Sequence, residues 1–321
     1  MIFRLEDTTT SAIADKLTTL RETGAQGTTG RVLTLIVVAS ADDEVECLVR
    51  ATNDASHEHP SRVLMMFAGE AQGPSRLDAE IRLGGDAGAS EVIIMHLEGE
   101  VAAHMEAVVT PFLLPDTPIV AWWPGAAPIN PAEHPIGKLA QRRITDSLMD
   151  PAEDAIYRRR NHYVPGDSDM AWSRITSWRG LVASTLDQPP HSEIVDARVF
   201  GPASSPSVDL AAGWLADRLG VNIVRESTGQ QGIPADAAGD PCMPLSKVEL
   251  YREEDTITLE VKDAHTIAVI MPDREPALVA LGRRSQADCL AEELRHLDPD
   301  TAYARALKGL SRVRYVDAFG Q

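Results

Sequence analysis

Arg31–Ser40 reads RVLTLIVVAS, a near-continuous aliphatic and β-branched run. A strand with one solvated face would alternate; an unbroken run describes a strand buried on both faces, with helices above and below its sheet. Ala41–His57 follows with a helical pattern opened by Asp42, Asp43 and Glu44, whose charges suit a helix amino terminus. Ser61–Gly69, SRVLMMFAG, is a second buried strand. Strand, helix and strand make one βαβ unit, because parallel neighbours need a crossover of that length. The chain is thereby steered to the α/β class.

The pattern extends on both sides of this unit. Thr8–Arg21 carries Ile13, Leu17 and Leu20 at helical spacing, and Gly24 and Gly27 are expected to end that helix. Leu77–Leu83 and Glu91–Leu97 predict strands joined through a Gly84-Gly85 turn. Gly99–Phe112 predicts a helix and Pro118–Trp123, PIVAWW, a further strand. From Ala126 to Ser168 prolines punctuate the chain, leaving one strand candidate at Arg143–Leu148. A boundary here divides the chain into an N-terminal α/β domain, residues 1–164, and a C-terminal one, residues 165–321.

The second half opens with Asp169–Leu186, DMAWSRITSWRGLVASTL, behind a Pro165-Gly166-Asp167-Ser168 turn able to cap a helix. At 3.6 residues per turn, Ala171, Ile175, Trp178, Val182 and Leu186 line one stripe. Trp172 sits at its edge, flanked by Arg174 and Arg179. Glu193–Gly201, Val208–Leu219 and Val221–Arg225 then read strand, helix, strand. Strands at Leu245–Tyr251, Thr256–Val261 and Thr266–Met271 follow, and helices at Ser285–Leu297 and Thr301–Leu310 close the chain. The expectation is two α/β domains with mixed sheets flanked by helices, the similar order of elements predicting an internal structural duplication.

At 321 residues the chain is long enough for two cores. A net charge of −18 argues against wholesale binding to nucleic acid or to an anionic membrane. No apolar run is long enough to span a bilayer, and Met1–Ala25 lacks the apolar core of a signal peptide. Cys47, Cys242 and Cys289 are far apart and form no CxxC pair. Such usage belongs to a reducing compartment, so a cytoplasmic location and no disulfide are expected.

Searches for catalytic motifs come back empty. No GxGxxG follows a strand, and Gly84-Gly85-Asp86-Ala87-Gly88 has the wrong spacing to cradle a pyrophosphate. Gly137-Lys138 has Ala132 where a phosphate-binding loop needs its leading glycine. Gly166-Asp167-Ser168-Asp169 resembles an esterase box, but it lacks a downstream DxxH base, and Ser168 reads as a helix cap. His57 and His59 read as a surface turn. No cofactor, no metal and no catalytic residue is expected.

Two features carry binding chemistry. Arg158-Arg159-Arg160 is a basic knot among Tyr157, His162 and Tyr163, with Arg142-Arg143 upstream. It suits a phosphate, a partner's carboxylates or the chain's own acids. Trp122 and Trp123 are neighbours on a strand and must face opposite sides, so they cannot share one core. One of them is a candidate for a face covered by the other domain or by a partner, or for packing under the Asp169–Leu186 helix. Trp172 and Arg179 complete the partner-binding set of Trp122, Trp123, Arg158, Arg159, Arg160, Trp172 and Arg179. Truncating Trp172 is expected to weaken a partner complex while the melt stays near the parent's, and truncating Trp178, mid-stripe, to lower folding stability by about 3–5 kcal/mol.

Four stretches in order resemble one family. They are Ser61-Arg62-Val63, Pro118–Pro124 (PIVAWWP), Ser168–Arg179 (SDMAWSRITSWR), and Ala287–Arg295 (ADCLAEELR) with Leu297-Asp298-Pro299. Together they resemble the glucose-6-phosphate dehydrogenase assembly protein (OpcA) family over nearly the full length. The resemblance implies a non-catalytic, cytoplasmic companion that associates with glucose-6-phosphate dehydrogenase, promotes its active oligomer and raises its activity in the oxidative pentose phosphate pathway. It supplies no catalytic residue. Some relatives are linked to thioredoxin control through cysteines, for which this chain has no evident dithiol pair. An α/β enzyme or sugar-phosphate-binding protein using the Arg142–Arg160 region is the alternative from the residues themselves, and a scaffold without effect on rates is a third.

Overall fold

The computed structural model describes residues 1–22, 31–84, 91–229 and 234–316. The chain divides into two compact units, one of Met1–Met170 with Gln286–Pro299 and one of Ala171–Ser285 with Asp300–Gln321. The sequence predicts a single change of domain between residues 164 and 165; here the chain changes unit at Met170 and makes one return visit.

The first unit runs β1 (Ile2–Leu5), α1 (Thr10–Glu22), β2 (Leu33–Ser40), α2 (Val45–Ser56), β3 (Ser61–Ala68), β4 (Arg76–Arg82), β5 (Glu91–Glu98), α3 (Glu100–Ala103), α4 (Met105–Val109), β6 (Ile119–Trp122), α5 (Pro135–Leu139), β7 (Arg142–Thr145), α6 (Ala155–Arg160) and β8 (Asp167–Asp169). The strands lie side by side in the order β1-β4-β5-β3-β2-β6-β7-β8. From β5 to β8 every neighbour is parallel, and β4 and β1 extend that edge antiparallel. Taken in chain order, the six parallel strands lie 3-2-1-4-5-6, the doubly wound arrangement. Helices cover both faces, which is why all of Leu33–Ala39 is buried. Ile36, Leu64, Met66 and Ile93 pack with Ile13, Leu17 and Leu20 of α1; Leu35, Val37, Val63 and Met65 pack with Leu48 and Val49 of α2.

The chain continues through α7 (Met170–Ser173), α8 (Thr176–Leu186), β9 (Asp196–Gly201), α9 (Pro206–Leu219), β10 (Ile223–Ser227), β11 (Lys247–Tyr251), β12 (Thr256–Asp263), β13 (Thr266–Ile270), β14 (Ala277–Ala280), α10 (Gln286–Arg295), α11 (Thr301–Gly309) and β15 (Val313–Val316). Of these, α10 belongs to the first unit, where Cys289, Leu290 and Leu294 join the α2 side of the core. The second sheet has the order β14-β13-β12-β11-β9-β10-β15. Only β9, β10 and β15 are parallel; β11 to β14 run as antiparallel hairpins. In this unit α9 and α11 meet at Gly213 and Gly309, where a Cβ on either would overlap the other helix's backbone oxygen. The glycines permit the close crossing.

The two sheets correct the expected duplication. Both contain a βαβ unit, β2-α2-β3 and β9-α9-β10, and the resemblance ends there, because hairpins replace crossovers in the second. Three local expectations also change. Asp167–Asp169 is not a turn and cap but strand β8, paired to β7 through Arg143↔Asp167, Ile144↔Ser168 and Thr145↔Asp169. The helix expected at Asp169–Leu186 is two, α7 and α8, with Ile175 between them at φ −103° and ψ 10°. Gly99–Phe112 is likewise broken, since His104 at φ −122° and ψ 45° separates α3 from α4. Gly24, Gly27 and the expected turn residues Gly85 to Gly88 lie outside the described residues. None of the three cysteines is in a disulfide; Cys47 is exposed, and Cys242 and Cys289 are buried. No helix among the described residues is long and apolar enough to cross a membrane.

Candidate functional site

In a doubly wound sheet the ligand crevice lies beyond the carboxyl ends of the strands, where strand order reverses. That point falls between β2 and β6, and the loop entering α2 is Ser40-Ala41-Asp42-Asp43-Glu44. A dinucleotide would rest its pyrophosphate on glycine backbone there, against the positive end of the helix. This loop has no glycine, and the Asp43 carboxylate already accepts the Ser40 N–H at 2.7 Å. Asp42, Glu44 and Glu46 add charge of the wrong sign around the same helix end. The residues present do not fit a nicotinamide dinucleotide. The adjoining cleft of about 800 Å3 is acidic too: Asp42, Glu70 and Glu98 line it with Arg76, whose guanidinium is held by Asp78 at 2.9 Å.

A second concentration of polar groups is built around Arg159. Its guanidinium donates to Ser147 Oγ at 3.1 Å, to the carbonyls of Ala127 and Pro128 at 3.3 Å, and to the Asp150 carboxylate. Asp169, fully buried, accepts the Thr145 hydroxyl at 2.7 Å, the Ser147 N–H at 3.1 Å and the Ser147 hydroxyl at 2.5 Å. Arg143 beside it donates Nε to Asp167 at 2.5 Å and its other nitrogens to the Ala140 and Pro165 carbonyls. Arg159 thus ties α6 to the segments around residues 127 and 150. Large apolar side chains flank these anchor points in the open, Ile129 at 42%, Met149 at 56% and Val164 at 40% exposure. Arg158 is also exposed, 3.8 Å from the Asp154 carboxylate, and Arg160 is half-buried.

The structure separates the seven predicted residues. Arg158, Arg159 and Arg160 share α6, but Arg159 points inward while its neighbours do not. Trp122 and Trp123 do face opposite sides of the sheet, and both sides are covered: Trp122 packs with the α2 cluster and Trp123 with the α1 cluster, at 0% and 1% exposure. The sequence leaves one of the pair to a face covered by the other domain or a partner, or to packing under the Asp169–Leu186 helix; here the first unit has a core on each side of its sheet, and each core takes one ring. Trp172 is 1% exposed, not marginal to its core. Its Nε1 donates to Asp300 at 2.7 Å, and the Arg179 guanidinium lies 3.5 Å over its ring. Trp178 is buried as its place in the stripe requires, edge-on to Trp214. Ser168 is no cap: it lies in β8, buried, and donates its hydroxyl to Glu293 at 2.5 Å.

Two domain models of one family match this sequence. Residues 52–161 match the N-terminal domain of the glucose-6-phosphate dehydrogenase subunit, and residues 165–307 match the C-terminal domain of the same protein. The chain belongs to the glucose-6-phosphate dehydrogenase assembly protein (OpcA) family. No curated protein matches it as a relative. Among solved structures it is similar to an oxidoreductase from Sinorhizobium meliloti, at 8% identity over 88% of this chain and 95% of that one, with a TM-score of 0.45. It is also similar to a levoglucosan dehydrogenase in complex with NADH and L-sorbose, at 10% identity, 87% of each chain and a TM-score of 0.39.

In this OpcA-family chain the four resembling stretches occupy β3, β6, β8-α7-α8 and α10. The residues that sequence reasoning missed are the acids of the buried network, Asp150, Asp167, Asp169 and Glu293. Glu293 carried a signal: it follows Cys289 by four residues on the apolar stripe of α10, where a carboxylate needs a partner. The Asp residues carried none, because an acidic chain offers too many alike.

The loop ahead of α5 gives a pH prediction. His134 caps that helix by accepting the Ile136 N–H on Nδ1 at 3.2 Å, and its ring meets Trp123 edge-on at 5.5 Å. Both the cap and the desolvation by burial favour neutral imidazole, and burial holds the pKa below the ordinary 6.5. A lowered folded pKa gives stability present above 6.5 and lost as pH falls through the folded value. His134→Asn keeps a capping oxygen and removes that titration. Thermal melts between about pH 7.5 and 5.5 should therefore fall less steeply for His134→Asn than for the parent; parallel slopes would remove His134 from the pH response.

Proposed function

We propose that this chain is a non-catalytic cytoplasmic subunit that docks on glucose-6-phosphate dehydrogenase and favours its active oligomer in the oxidative pentose phosphate pathway. The observation that carries the reading is the match of both domain models of the assembly-protein family. An acidic loop where a dinucleotide fold needs a phosphate cradle supports a role without hydride transfer. Activation follows if the subunit binds the active state of the enzyme more tightly than the inactive one, shifting that population by the difference in affinity.

The surface organised by Arg159 is the contact face in this reading. Exposed Ile129, Met149 and Val164 beside Arg158 and Arg160 combine apolar area with arginine, the composition of an interface centre. Arg159, Trp122 and Trp123 support that unit from beneath, while Trp172 and Arg179 hold the other unit. Use of the Arg142–Arg160 region as a sugar-phosphate site is disfavoured, because Arg142, Arg143 and Arg159 each have a carboxylate of their own.

The purified chain with glucose 6-phosphate and either nicotinamide cofactor should produce no reduced cofactor above a trace contaminant's rate. Added to the dehydrogenase, it should raise activity saturably. Replacing Arg158 and Arg160 together by Glu should leave the melt near the parent's and raise the half-activating concentration about thirtyfold. Association without activation would leave a scaffold. A double variant that titrates like the parent would put the contact face elsewhere.

A further inference from the structure

At the opposite end of the first sheet from the crevice, three arginines gather on one glutamate. Arg62 is the second residue of β3 and Glu91 opens β5, and the parallel register sets them side by side. Arg31 precedes β2, the next strand, and Arg21 lies in the last turn of α1. All three guanidinium groups converge on the one carboxylate: Arg31 Nη2 at 2.5 Å, Arg62 Nη2 at 2.9 Å and Arg21 Nη2 at 3.6 Å from Glu91 oxygens. Among the described residues in contact, three cations share one anion, an excess of two positive charges. Elsewhere Arg142, Arg143, Arg159 and Arg225 each hold a carboxylate of their own.

The unbalanced cluster is largely out of water. Glu91 and Arg62 are buried, the Arg31 side chain is 13% exposed, and Arg21 at 42% opens the cluster to solvent. Arg62 Nη1 is satisfied by the Phe112 carbonyl at 2.8 Å. The Nε atoms of Arg31 and Arg62 are buried without a hydrogen-bond partner among the described residues. A buried donor left unmade costs more than a made bond contributes, so such donors normally have an acceptor. Burial, and to a lesser degree Arg21, push the Arg31 guanidinium below its ordinary pKa, and Glu91 only partly opposes them.

We propose that Arg21, Arg31 and Arg62 form a binding site for a phosphate-type dianion. Two charges match the excess, whereas a carboxylate would neutralise half of it. Planar guanidinium forks also suit the tetrahedral oxygens of phosphate, each offering paired donors. The site lies on the assembly-protein chain itself and does not depend on the contact face proposed above. Its ligand is either free phosphate or the phosphate group of a metabolite ester.

Calorimetric titration of the full chain at low ionic strength tests it, with inorganic phosphate in one arm, glucose 6-phosphate in another and glucose as the uncharged control. Phosphate should bind saturably, one per chain, and glucose should not. Tighter binding of the ester than of phosphate identifies an ester site; equal binding identifies a site for the dianion alone. Arg31→Gln and Arg21→Gln should each weaken binding about tenfold or more, the worth of one charge-assisted hydrogen bond, with melts close to the parent's. Glu91→Gln moves the other way: it should melt early in chloride and gain more from added phosphate than the parent does. Absence of saturable binding at millimolar phosphate, or equal binding by parent and Arg31→Gln, overturns the proposal.

Discussion

Glu293→Ala should destabilise the first unit by about 3–5 kcal/mol, the usual result of deleting one member of a buried ion pair. Glu293 is 3% exposed, lies 2.5 Å from Arg142 Nη2 and accepts the Ser168 hydroxyl at 2.5 Å. Burial pushes its carboxyl above the ordinary range, and the adjacent guanidinium opposes that rise. Removing the carboxylate strands Arg142 in the interior, where among the described residues the Asp298 carbonyl at 3.0 Å remains to satisfy it. The pair also ties the returning helix α10, whose apolar side packs into the α2 core, to β7, so the loss should reach α10 first. Denaturant unfolding followed by circular dichroism, beside hydrogen exchange along α10, measures both. Replacing Glu293 by Leu and Arg142 by Met together should recover most of the loss, because apolar groups need no partner. A single variant within about 1 kcal/mol of the parent would mean that Arg142 finds water or another acid.

Trp172→Ala should cost about 3–5 kcal/mol in folding, as a large side chain removed from a closed core does. This reverses what the edge of its helical stripe suggested. The indole is 1% exposed, with Arg179 3.5 Å above one face and Tyr303 6.0 Å away. Its Nε1–H reaches Asp300 Oδ2 at 2.7 Å while Oδ1 of the same carboxylate caps α11 through the N–H groups of Ala302 and Tyr303. Truncation therefore opens a cavity and loosens the start of α11 at once. Trp172→Phe retains most of the ring and forfeits the bond to the carboxylate, which should cost about 1.5–3 kcal/mol. Trp178→Ala, from an equally closed site, should fall in the same range as Trp172→Ala, so thermal melts should not separate the two. If Trp172→Ala melts with the parent and only activation suffers, the indole belongs to the docking surface and not to the core.

Much of the fold is legible in the order of residues. The run at Leu33–Ala39 requires cover on both sides, and it has α1 on one and α2 on the other. The Ile13, Leu17, Leu20 spacing marks a helix, because an amphipathic period is local and survives in one sequence; Val208–Leu219 is also a helix, buried around nearly its whole circumference. Of the elements of three or four residues, β6 and β7 are legible as an apolar run and a strand pattern between prolines, and others are not. β1, β8, β14 and β15 are held by sheet neighbours, and no period can be counted over so short a span. Ser168 shows the consequence: its local sequence spells a cap, while its pairing with Ile144 makes it strand.

The candidate site divides along the same line. Chain neighbours are enough to establish the α/β class, the absence of a glycine cradle after β2, the basic knot on α6 and the opposite facing of Trp122 and Trp123. Other features emerge only on folding: both tryptophans are buried, Arg159 turns inward while Arg158 does not, Glu293 comes back to neutralise Arg142, and three arginines share Glu91. Those facts are sums over groups distant in sequence. Whether a charge is matched depends on every residue within a few ångströms, and the chain order of one acidic protein does not contain that count.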